Sequence, residues 1–140
     1  ALVKELIAAV GDILTAVDDP SLAAVIESGD RKLVRTWLNR KFDQWEKIRS
    51  YIVVAHQAAS NEPEIAATIE SWFDTTIAAI QAGLDAANRF DPPSRRVRST
   101  LAFGQFEFLS QRWFTRAWKG DRQVILETLT DSWCYLLARE

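Results

Sequence analysis

The residues that could do chemistry are few and far apart. His56 is the only histidine and Cys134 the only cysteine among the 140 residues. A zinc site needs several such ligands. The di-metal sites of helical bundles need Glu-x-x-His pairs, and the residue three before His56 is Val53. A Ser-His-Asp relay has only His56 to draw on, and no turn that would present a nucleophile is visible. No glycine-rich phosphate loop occurs. This inventory predicts a domain that is not an enzyme and takes no metal or cofactor. A single cysteine permits no internal disulfide, which points to a reducing, cytoplasmic setting.

Charged and polar residues inside apolar faces are more informative. Arg49 and His56 share a helical face with Trp45 and Ile52, and Thr76 and Gly83 interrupt the stripe of Ile65, Ile69, Phe73 and Ile80. Small-molecule pockets are mostly apolar and aromatic, with a few placed polar groups. Six tryptophans and seven phenylalanines supply the material for such walls. The expected pocket has Trp45, Ile52, Phe73, Ile80, Phe106 and Trp113 as walls and Thr76, Arg49 and His56 as polar contacts. Its ligand would be small and apolar or amphiphilic, and Arg49 would suit a carboxylate. The plainer alternative is a satisfied core histidine and an arginine that snorkels to the surface.

Two basic clusters, Arg31-Lys32-Arg35 and Arg95-Arg96-Arg98, read as solvated faces rather than phosphate contacts. The net charge is −2 and no aromatic-interleaved basic groove appears, so the chain itself is not drawn to nucleic acid. No apolar run approaches the ~20 residues of a membrane span.

These residues must be positioned by helices, because glycine and proline are scarce and sit at segment boundaries. A first helix is expected from about Leu2 to Val17. Asp18-Asp19-Pro20 ends it, with Asp19 as the next cap, and a short helix then runs to about Ser28. Gly29 stops that helix, and Asp30 can cap the next segment, through about Ser60, read as one long helix or two nearly collinear ones. Its run from Tyr51 to Ala55, apolar all round, suits burial on most sides. Asn61 caps a fourth helix, with Pro63 in its first turn. Asp91-Pro92-Pro93 breaks it, a fifth runs to about Trp118, and Asp121 caps a last one to Ala138. Short connections between long helices predict one antiparallel helical bundle over residues 1–140.

The fifth helix has two apolar faces. The wide face holds Phe103, Phe106, Leu109 and Trp113. The narrow one holds Val97, Leu101, Gly104 and Phe108 at coiled-coil seam spacing. The last helix carries a second edge of Val124, Thr128 and Tyr135. Either another helix of the same chain encloses these edges in a monomer or a second subunit covers them. The second reading is favoured, since a two-helix unit with spare faces closes into a four-helix bundle by two-fold symmetry.

Three stretches carry a resemblance: Ala1-Leu2-Val3-Lys4-Glu5-Leu6-Ile7, the 37–82 region with Trp45-Glu46-Lys47-Ile48-Arg49, Asn61-Glu62-Pro63-Glu64-Ile65 and Ser71-Trp72-Phe73, and the ending Gly120-Asp121-Arg122 through Leu129-Thr130-Asp131-Ser132-Trp133. Together they resemble the C-terminal ligand-binding and dimerisation domain of TetR-type transcriptional repressors. The resemblance implies a homodimer formed by the last two long helices and a small effector. It also implies DNA contact only through a helix-turn-helix domain upstream of Ala1. The opening without a cap or a methionine fits a fragment of a longer protein. A helical interaction module with a filled core and a hydrophobic-ligand carrier are the competing functions.

Overall fold

The computed structural model of the chain describes residues 18–115 and 120–139, with residues 5, 8, 9, 11 and 12; the side chains at 48, 49, 52, 55, 56 and 113–115 fall outside this set. All regular structure among the described residues is helical. Five helices follow in order: α1 (Leu22–Ser28), α2 (Arg31–Ala59), α3 (Pro63–Ala86), α4 (Pro92–Thr115) and α5 (Arg122–Leu137). The expected first helix lies mostly outside the described residues, although Glu5, Ala8, Ala9, Gly11 and Asp12 are helical. None of the described helices is long and apolar enough to cross a membrane.

The helix ends follow capping chemistry. Asp30 accepts from the Lys32 amide at 2.8 Å and Asp121 from the Gln123 amide at 2.8 Å, so both satisfy an orphan donor of the first turn. Gly29 closes α1 with φ 66°, a left-handed conformation that favours glycine. Two expected caps are corrected. Ser21, not Asp19, caps α1, accepting from the Ala24 amide at 3.2 Å. Glu62, not Asn61, is the N-cap of α3; its side chain makes no capping bond, and Pro63 at N1 has no amide to satisfy.

Helix α5 runs antiparallel to both α4 and α2, as the pairings show. Between α4 and α5, Arg98 donates to the Leu136 carbonyl, Trp133 Nε1 to the Ala102 carbonyl at 2.9 Å, and Ser132 to Gln105 at 2.7 Å. Partner numbers fall along α5 as they rise along α4. Between α2 and α5, Arg31 meets Asp131, Arg35 meets Glu127, and Arg122 meets Asn39, Asp43 and Glu46. The core between these helices is aromatic. Trp37, Phe42, Trp45, Phe103, Phe106 and Trp133 are all buried. Tyr51 and Val54 are exposed and Val53 is half-buried, so these described members of the apolar run are not enclosed.

Gly83 marks the crossing of α1 and α3. A Cβ there would lie 2.6 Å from the Ala23 carbonyl oxygen and 2.6 Å from Ile26 Cβ. Expected as an interruption in a pocket wall, Gly83 is instead a point of close backbone approach. Gly83→Ala should cost about 2 kcal/mol, because overpacking of this kind outweighs the roughly 1 kcal/mol of helix propensity gained. Chemical denaturation checks this, and an unchanged or raised midpoint would mean that the two helices separate freely.

The Arg95-Arg96-Arg98 cluster also departs from expectation, since it is not simply a solvated face. Arg95 is buried, and its guanidinium donates to the Arg89 carbonyl at 2.9 Å, to Asn88 at 2.9 Å and to Asp85 at 3.1 Å. Arg98 lies 3.7 Å from the centre of the Phe90 ring. Arg89 donates to the carbonyls of Ile26, Glu27 and Leu137, so one side chain satisfies the C-terminal ends of both α1 and α5. These arginines staple the α3–α4 turn to two helix ends, where carbonyl dipoles favour a cation.

Candidate functional site: an aromatic cavity and an uncovered seam

Helices α2, α3 and α4 do not close completely against one another. Between them lies a cavity of about 180 Å³. Trp37 and Trp45 of α2, Trp72 and Phe73 of α3, and Phe103 and Phe106 of α4 form its rings, and Leu22 and Ala79 complete the apolar wall. Phe73 packs on Phe103 with ring centres 5.2 Å apart, and Trp45 meets Phe106 edge-on at 5.7 Å. Such offset and edge arrangements hold aromatic walls in fixed orientations.

The polar part of the cavity is formed by Asp18, Lys41, Thr75 and Thr76. The Lys41 side chain is only 6% exposed and its Nζ lies 3.1 Å from Asp18 Oδ2. Asp18 also accepts from Trp37 Nε1 at 3.0 Å, and Lys41 donates to Gln44 at 3.1 Å. A buried ion pair persists only when its hydrogen bonds are met in this way. Thr76 donates to the Trp72 carbonyl at 3.1 Å and Thr75 to the Ser71 carbonyl at 2.9 Å, so each presents oxygen lone pairs rather than a free O–H.

Four of the expected pocket residues, Trp45, Phe73, Thr76 and Phe106, share this cavity. Ile80 does not border it; it is fully buried in the core, on the closed side of α3. The side chains of Arg49, Ile52, His56 and Trp113 lie outside the described residues. Sequence reading did not assign Trp37, Lys41, Asp18, Trp72, Phe103, Thr75, Leu22 or Ala79 to the pocket. Trp37 stands one turn before Lys41, three residues after Val34 and eight before Trp45, and that spacing was a usable signal for the first of them.

Gly11 is buried and helical, and a Cβ on it would lie 2.9 Å from Trp72 Cζ2. Trp72 therefore borders both the cavity and the N-terminal helical residues.

All seven seam residues are exposed. Val97, Leu101 and Phe108 of α4 and Val124 and Tyr135 of α5 are each more than half exposed, Thr128 is exposed, and Gly104 has open space before it. Phe108, Val124 and Thr128 line one groove of about 460 Å³ between the two helices, floored by Leu109, Ile125 and Leu129. Exposed contiguous apolar surface of this kind is uncommon on monomers without a use for it.

Cys134 is buried against this unit, and burial pushes its thiol up, away from the reactive thiolate; Arg31 nearby opposes the shift only in part. Glu127, two turns earlier on α5, is held below the usual carboxylate range by Arg35 and then Arg31.

The fold and site thus define an all-helical domain with an aromatic cavity and an uncovered apolar seam. No family model, curated protein or solved structure matches the chain.

Proposed function

We propose that this chain is the effector-binding and dimerisation domain of a TetR-type transcriptional regulator. The observation that carries the reading is the aromatic cavity between α2, α3 and α4, with a buried ion pair on its wall. An apolar or amphiphilic molecule of modest size would enter it without any catalysis. Trp72 gives the route by which occupancy reaches the rest of the protein. A ligand that displaces its ring pushes on Gly11 and the N-terminal helical residues, the side from which a DNA-binding domain would be carried. Such a ligand acts by fitting one arrangement better than another and shifting the population toward it. Two subunits joined at the seam would give that shift its readout, as a change in spacing between paired DNA-binding domains.

The test is a thermal-shift screen of apolar and amphiphilic compounds, followed by tryptophan fluorescence. A ligand at about 100 times its dissociation constant should add about 2.7 kcal/mol of stability. Trp45→Ala and Trp72→Ala should abolish that gain while remaining folded. Hits that bind both folded variants as tightly as the parent would place the site elsewhere. An absence of hits across the screen would favour an interaction module with a filled core.

A further inference from the structure

The size and charge of the cavity restrict what it can hold. This inference rests on the reading of the cavity as a ligand site. We propose that its ligand is a single-ring aromatic carboxylate whose anion pairs with Lys41.

Volume sets the first limit. An apolar cavity of about 150 Å³ accommodates benzene. The present one, at about 180 Å³, matches one ring with a substituent of a few atoms. Rings on the α2, α3 and α4 walls favour a flat aromatic guest, which stacks or meets them edge-on.

Charge sets the second limit. Among the described lining residues Lys41 is the sole cation and Asp18 the sole anion. Asp18 is already engaged by Lys41 at 3.1 Å, by Trp37 Nε1 at 3.0 Å and by Arg40 at 3.6 Å. Two cations thus face one carboxylate, and a cationic guest would have to displace one of them. Lys41 has three N–H donors; its hydrogen bonds to Asp18 Oδ1 at 3.4 Å and to Gln44 at 3.1 Å use two, and its Nζ also lies 5.3 Å from the Trp37 ring centre. The third can meet an acceptor. Thr75 and Thr76 have committed their O–H groups to helix carbonyls, so neither competes with Lys41 as a donor to an anion. A carboxylate on the ring takes the remaining donor, in a buried setting where charge-assisted bonds are strong, while Arg40 supplies a second cation to Asp18 from outside the lining. A neutral amide of the same shape takes the donor without the charge assistance.

The experiment compares benzoate, benzamide, benzylamine and 2-naphthoate on the unaltered protein by calorimetry and tryptophan fluorescence. Benzoate should bind at least about tenfold more tightly than benzamide, with benzylamine and 2-naphthoate weaker still. Lys41→Gln should erase the preference for benzoate over benzamide, and Lys41→Arg should retain it. Because the comparison on the unaltered protein decides alone, a Lys41 variant that fails to fold does not blunt the test. Equal affinity for benzoate and benzamide, or a preference for benzylamine, overturns the carboxylate assignment and leaves the cavity as a ligand site. If these probes fail while larger apolar compounds stabilise the protein, the ligand class is wrong but the effector reading stands. If no compound of any class binds, both fall.

Discussion

Phe106→Ala is expected to lower folding stability by about 4 kcal/mol, within the range for removing a fully buried aromatic ring. Phe106 is 3% exposed and stands at the centre of the core. Its ring centre lies 5.7 Å from Trp45, 6.1 Å from Phe42, 6.2 Å from Trp37, 6.3 Å from Phe103 and 6.5 Å from Trp133. These partners come from α2, α4 and α5, so truncation loosens three helices at once. Two terms add: the lost transfer of apolar area and the void left by rings that cannot collapse inward. A domain of this size holds only about 5–15 kcal/mol in total, so the variant should unfold at a much lower denaturant concentration. Urea unfolding followed by tryptophan fluorescence measures it directly. Phe106→Leu, which keeps most of the volume, should lose less than half as much. A loss under about 1 kcal/mol for the alanine variant would mean that the rings repack around the gap, contrary to a rigid aromatic core. The same variant enlarges the cavity on its α4 side, so surviving folded protein should accept a bulkier ring than the parent.

Much of this architecture was legible because local signals act locally. Gly29 and Asp30 mark the α1–α2 boundary by their own backbone and side-chain preferences, and Asp121 does the same for α5. The α4 seam was visible as a second periodicity on one helix. The shifted caps show where local signals compete. Asn61 outranks Glu62 as a cap, yet Pro63 at N1 sets the α3 boundary at Glu62; Asp19 and Ser21 are both good N-caps, and Pro20 falls before the α1 cap rather than at N1. Of the polar wall of the cavity, Thr76 was legible but the Asp18–Lys41 pair was not. Asp18 ended one segment and Lys41 sat among ordinary surface-type residues on a long helix. Nothing in the periodicity of either stretch pairs two residues 23 apart. The arginine staples were hidden for the same reason: Arg89 is polar in sequence, but its partners are carbonyl groups of α1 and α5. Periodicity identifies which face is inside; it does not identify which charges that inside can satisfy.

The seam provides the other large expected effect. With both Leu101 and Phe108 replaced by arginine, the protein should sediment as a monomer at concentrations where the parent is a dimer. The two side chains are 52% and 55% exposed in the single chain, so the replacements leave its own core untouched. Exposed substitutions of this kind change stability by about 0.5 kcal/mol or less. In a two-fold dimer each replacement occurs twice, facing the same patch on the other subunit. Four unpaired guanidinium groups would then enter an apolar seam. Even one uncompensated buried charge costs about 3–5 kcal/mol, so dimer affinity should fall by at least about a thousandfold. Arg112 already lies 5.4 Å from the Phe108 ring centre, so the Phe108→Arg replacement sets a like charge beside it and adds to the penalty. Glu70→Arg, on an exposed site of α3, is the control that changes charge without touching the seam. Equilibrium sedimentation of the parent, the control and the double variant separates the cases. If the double variant stays dimeric, the subunits meet elsewhere. If the parent is already monomeric over the whole accessible range, the α4–α5 surface serves another partner, and the two-subunit mechanism loses its basis.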